Sequence, residues 1–158
     1  MSRARPAVNT STGEYVQLEL LKEDDKPYDW SGGGRHVNAS KKLGAALWKK
    51  GSGYTKNDKL VYGYYLFNAP PGDEPLRMSF REIGNDLELR PNAVSRSVGN
   101  LNRGGFLLEA EQVGRVKFYK LNSRAAFDGS SGQQRWATQH ARHPVTTCPP
   151  EKKEKEAS

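Results

Sequence analysis

The stretch SFREIGNDLELRPNAVSRSVGNLNRGGF, Ser79 to Phe106, decides how this chain folds. Ser79 and Glu82 stand three apart ahead of an apolar run. That spacing lets a serine hydroxyl take an amide at a helix start while the carboxylate reaches back. Phe80, Ile83 and Leu87 then form one stripe, and Gly84 leaves room for a second helix to cross closely. Glu88-Leu89-Arg90 reads as a short turn. Pro91 suits the first turn of a new helix, where its missing N–H costs nothing. In that helix Val94, Val98 and Leu101 recur at i, i+4, i+7 and face the core. Gly104-Gly105 ends it. Helix, short turn, helix is a helix-turn-helix.

Working outward, Phe106 to Glu111 reads as a strand, Gln112 to Arg115 as a tight loop, and Val116 to Leu121 as the returning strand. A hairpin directly after the second helix makes the unit a winged helix. Upstream, a helix from Asn57 or Asp58 to about Asn68 is expected. Its stripe is Leu60, Tyr64 and Phe67, with Val61 and Tyr65 beside it. Ala69-Pro70-Pro71-Gly72 stops it. Before that come a strand over Glu14–Leu21, a glycine-rich loop, and a helix over Asn38–Lys50 capped by Ser40 or Asn38. Gly32-Gly33-Gly34 lacks the Lys-Ser/Thr of a phosphate loop. Downstream, a short helix over Gln133–Ala141 carries Trp136. From Pro144 the chain is a charged tail with no core to join. The expected class is α+β, mainly α. A disordered arm spans 1–13, an added strand, loop and helix 14–55, the winged helix-turn-helix 56–128, and a short helix with disordered tail 129–158.

The 158 residues carry 25 Lys+Arg against 18 Asp+Glu, a net charge of +7. The distribution is sharper than the sum. Residues 57–89 hold three basic and six acidic side chains, a balance of −3. Residues 90–124 hold seven and two, a balance of +5. Charge segregated onto one helix and hairpin is the footprint of nucleic-acid binding. Asparagine can pair bidentately with adenine and arginine with guanine in the major groove. Asn92, Ser95, Arg96 and Asn100 are therefore expected at base edges. Ser79, Arg90, Arg103, Arg115 and Lys117 are expected on the backbone, with Arg115 at the wing tip.

Several classes fall away. No apolar run approaches the roughly 20 residues of a membrane span. Cys148 is the only cysteine, so there is no disulfide framework. Met1 to Ala7 has no apolar stretch behind its arginines, so no signal peptide is expected. His140, His143 and Cys148 could in principle ligate a metal, but no second Cys pair accompanies them. No metal, cofactor or catalytic activity is expected, and the location expected is cytoplasmic, at the nucleoid or a plasmid.

The segment Ser79–Phe106 resembles the core of MarR-type bacterial winged helices. Their recognition helix carries S-x-x-x-V-S-R-x-V-x-x-L-x-x-x-G, matched here by Val94-Ser95-Arg96, Val98, Leu101 and Gly105. The resemblance spans about residues 57–122 and implies that Ser95 and Arg96 take the recognition-helix role. The chain lacks the long flanking helices through which that family dimerises. Tyr15–Leu18 and Phe118–Phe127 followed by Gly129 are also similar to RepL-type plasmid replication proteins, with Ser123 where that family has proline. The expected function is sequence-specific binding of double-stranded DNA by a transcriptional repressor. The alternatives are a plasmid replication initiator using the same interface, and a protein-interaction adaptor. A homodimer is expected, since palindromic sites mirror two-fold proteins.

Overall fold

A computed structural model describes residues 31–140 and 144–146. The expected arm over 1–13, the strand over Glu14–Leu21 and the tail beyond Thr146 lie outside the described residues. Contacts divide the chain into two units, 1–35 and 36–158. In the first, the described residues form a turn in which Gly32, Gly33 and Gly34 all have positive φ.

The second unit is α+β and mainly helical. Its elements are β1 (Asn38–Ala39), α1 (Lys41–Trp48), α2 (Lys56–Asn68), α3 (Phe80–Leu87), α4 (Pro91–Arg103), β2 (Leu107–Val113), β3 (Val116–Leu121), β4 (Ala126–Phe127) and α5 (Ser131–His140). The strands form two antiparallel pairs, β1 with β4 and β2 with β3.

The α3–turn–α4 unit forms as its residues dictate. Ser79 Oγ accepts from the Glu82 N–H at 3.3 Å, and Glu82 accepts from the Ser79 N–H at 2.7 Å. Glu88 ends α3 in the left-handed region at φ 56°, and the Leu89 N–H donates to the Gly84 carbonyl at 2.8 Å. A Cβ on Gly84 would lie 2.4 Å from the Leu89 carbonyl oxygen and 3.5 Å from Val94 Cγ2. The residue was expected to admit a crossing helix; what approaches it most closely is the turn itself. In α4, Val94, Val98 and Leu101 are fully buried, as the stripe requires. Gly105, at φ 81°, then turns the chain so that Phe106 donates to the Leu101 carbonyl and enters the core.

Strand β2 runs two residues past its expected end. The link to β3 is only Gly114, at φ 60°, and Arg115. A bulge falls between Glu109 and Glu111. Leu76, in the α2–α3 connection, donates to the Tyr119 carbonyl at 2.9 Å, so this connection lies along the open edge of β3.

Helix α2 departs from expectation in two respects. Its cap is Thr55, neither Asn57 nor Asp58. Thr55 Oγ1 accepts from the Asp58 N–H at 3.2 Å, and Asp58 returns the bond at 2.9 Å. Its buried face is Asp58, Val61, Tyr62 and Tyr65, while Leu60 and Phe67 are 48% and 81% exposed. Apolar residues occur all round this helix, so two faces satisfy a 3.6-residue period. Tyr62 and Tyr54 meet Phe106 edge-on at centroid distances of 5.1 and 5.6 Å, and this decides which face turns in.

The first helix is shorter than the expected Asn38–Lys50. Ser40 caps it, and Asn38 and Ala39 pair instead with Phe127 and Ala126. Leu47 is its buried anchor. Helix α5 begins two residues before Gln133, because Ser130 and Gln133 form a reciprocal cap at 3.2 and 3.1 Å. Residues 144–146 do join the core, against expectation. The Pro144 carbonyl accepts from Asn122 Nδ2 at 2.9 Å, and Thr146 is buried beside Gly105. Among the described residues no helix is long and apolar enough to cross a membrane.

Candidate nucleic-acid interface

Helix α4 presents two faces because its apolar residues recur at i, i+4, i+7 and its polar ones fall between. Asn92, Ser95 and Arg96 are exposed and share the outward face. Arg90 precedes the helix as its N-cap and makes no side-chain cap bond, so its guanidinium is not engaged there. Pro91 has no N–H and the Ala93 and Val94 N–H groups donate to the Arg90 carbonyl, so the Asn92 amide is left at the end of α4 that carries the positive side of the helix dipole.

Arg115 occupies the hairpin turn, held outward by Gly114. It is exposed between Val113 and Val116, which are themselves 60% and 44% exposed. Arg90, Arg96 and Arg115 have no ion-pair partner among the described residues. Arg81, exposed on α3, is in the same condition and was not singled out from sequence. Its signal was the capping box, which fixes where α3 starts and therefore which of its residues point outward.

Three other cations are engaged in ion pairs. Lys117 pairs with Glu109 at 2.9 Å, and that bond raises the ammonium pKa. Both partners are over 40% exposed, so solvent screens the pair and a phosphate can displace it. Lys120 pairs with Asp73 at 2.7 Å in a less exposed setting. Arg77 bridges Glu111 at 2.8 Å and Glu74 at 3.1 Å, and these bonds raise its pKa.

Two expected contacts are drawn into the scaffold. Asn100 is half-buried. Its amide donates to the two carboxylate oxygens of Asp58 at 3.2 and 3.4 Å, and its oxygen accepts from Arg103. Both ends of the amide have partners within the protein, which ties Asn100 to the scaffold. The cause is Asp58, 1% exposed, a carboxylate that must find donors. Ser79 has its hydroxyl bonded to Glu82 as donor and acceptor, so in this structure it serves as the cap of α3. The Ser79 N–H, and after it the Ser79 hydroxyl, donate to the Glu82 carboxylate and hold it below its ordinary pKa. Arg103 remains exposed while bonded to Asn100. The residues brought to one helix face and the hairpin tip are therefore Asn92, Ser95, Arg96, Arg90 and Arg115.

Gly99 lies on the same helix. A Cβ there would meet only Arg103 Nη1 at 3.5 Å, an ordinary contact. Among the described residues no group of three His, Cys, Asp or Glu side chains is placed to hold a metal. His140 stacks on Trp136 at 4.5 Å, while His143 and Cys148 lie outside the described residues. No protein-family model matches this chain, and no curated protein matches it.

Proposed function

We propose that the second unit is a winged helix-turn-helix and that it binds double-stranded DNA in a sequence-specific manner. The layout supports the fold. Two helices joined by a tight turn are followed by a hairpin, with the Leu76 segment along the hairpin edge. The observation that carries the function is the outward face of α4. It is polar, and among the described residues neither Arg96 on it nor Arg90 and Arg115 beside it has an ion-pair partner.

In this reading α4 enters the major groove. Asn92, Ser95 and Arg96 meet base edges, with arginine the best partner for guanine. Arg90, at the helix N-terminus, meets a phosphate together with the Asn92 N–H there. Arg115 meets the backbone or the adjacent groove, and Lys117 exchanges Glu109 for a phosphate. The biological role that fits is a repressor of MarR-like kind, occupying a promoter, bound as a homodimer to a palindromic site. Selection of bound duplexes from a random pool tests the function. Enrichment of one defined sequence is expected, and recovery of an unenriched pool would contradict it.

A further inference from the structure

A second basic stretch lies outside α4 and the hairpin. Residues 36–57 hold Lys41, Lys42, Lys49, Lys50 and Lys56 and no carboxylate. All five lysines are exposed, and none has an ion-pair partner among the described residues. The fold does not call for them. Lys41 and Lys42 stand in the first turn of α1, where the helix dipole disfavours cations, and no acidic residue in that turn offsets them.

These lysines surround an exposed aromatic ring. Lys41, Ala45 and Trp48 fall at i, i+4, i+7 and share the outward face of α1, while Leu47 anchors its inner side. Trp48 is 57% exposed, and among the described residues no other ring stacks on it. Ala45, one turn back, is too small to cover it. The backbone that presents the ring is fixed. Lys59 Nζ donates to the Trp48 carbonyl at 3.3 Å, which brings the first turn of α2, with Lys56, beside the end of α1. The Ser52 hydroxyl donates to the Leu47 carbonyl at 2.8 Å, and the Ser52 N–H to the Lys49 carbonyl at 3.2 Å. Those two bonds hold the loop that carries Lys49 and Lys50. Helix α1 has eight residues and is roughly 12 Å long, so cations stand at both of its ends and the ring at one.

We propose that the outward face of α1 binds single-stranded nucleic acid, with phosphates on the lysines and an unstacked base on Trp48. Lysine meets phosphate as a point charge. An indole face stacks any base, so such a site tolerates many sequences. A duplex keeps its bases stacked on one another and offers no face to the ring. An acidic peptide would use the lysines and leave the ring without a role. The cations and the open ring together select a single strand. The inference goes beyond duplex binding by α4 and does not rest on it, since none of these residues lies on α4 or the hairpin.

The test is fluorescence anisotropy of end-labelled oligo(dT) and oligo(U) of equal length, titrated with the full chain. Saturable, salt-sensitive binding of at least one is expected, and the tighter of the two identifies the strand as DNA or RNA. Trp48→Ala should weaken it about ten-fold or more, and Trp48→Phe, which keeps a ring, should restore most of the loss. Replacing Lys49 and Lys50 together by glutamine should flatten the salt dependence by about 0.7 per lost phosphate contact. Arg96→Ala should leave single-strand affinity unchanged, and Trp48→Ala should leave duplex affinity unchanged. Undiminished binding by Trp48→Ala would overturn the proposal. So would an equal loss of duplex affinity in that variant, or competition by poly-glutamate as effective as that by unlabelled oligo(dT).

Discussion

Arg96 and Asn100 stand one helical turn apart on α4 and have opposite fates. Arg96 points outward, and among the described residues no carboxylate holds it. Asn100 is turned into the protein by Asp58, which is buried and must be given donors. Replacing Arg96 by alanine should cost about 1–3 kcal/mol in DNA affinity and relax the preference at one base position, read by binding to a panel of single-base variants. Replacing Asn100 by alanine leaves a buried carboxylate short of a partner. It should lower folding stability by about 1–3 kcal/mol in a urea titration and leave the order of base preference unchanged. A second residue-scale effect follows from Glu82. Its pKa in the folded protein is held below the ordinary 4.5, so its contribution is present above that value and is lost as pH falls through the folded pKa. Glu82→Gln should therefore flatten the acid limb of the stability curve below about pH 4.5, measured by thermal unfolding across that range.

At the scale of elements, glycines separate packing from permissiveness. Gly84 faces a carbonyl that cannot move aside, so Gly84→Ala should destabilise the protein by more than about 1 kcal/mol. Gly99 faces only the end of a flexible arginine. Gly99→Ala should stabilise α4 by up to about 1 kcal/mol, measured by chemical unfolding. If it also weakens DNA binding, the missing side chain serves a close approach of the backbone to phosphate.

Elements whose signals are local were legible in sequence. The Ser79 capping box, the Val94–Val98–Leu101 stripe and the hairpin with Gly114 each depend on residues within a few positions. What failed depended on distance or on a tie. The buried face of α2 could not be chosen, because apolar residues surround that helix and only Phe106, over forty residues on, selects between the faces. The β1–β4 pair is two residues on each side and has no period to detect. Asn100 read as an exposed polar residue because its partner Asp58 is 42 positions away. Two caps were present and unread: Thr55-x-x-Asp58 and Ser130-x-x-Gln133 carry the same spacing as Ser79-x-x-Glu82.

For the whole molecule, the net charge of +7 does not say which cations are open to a partner. Within residues 90–124, Lys117 and Lys120 already face carboxylates, and the cations without ion pairs among the described residues include Arg90, Arg96 and Arg115. The decisive measurement is the affinity for a selected duplex as a function of salt, made side by side on the wild type and Arg96→Ala. The account predicts that log K falls linearly with log salt, at a slope of about −0.9 per phosphate contact, for both proteins. It also predicts that the variant loses discrimination at one base position. An affinity that does not respond to salt, or an Arg96→Ala protein with unaltered affinity and base preference, would contradict it.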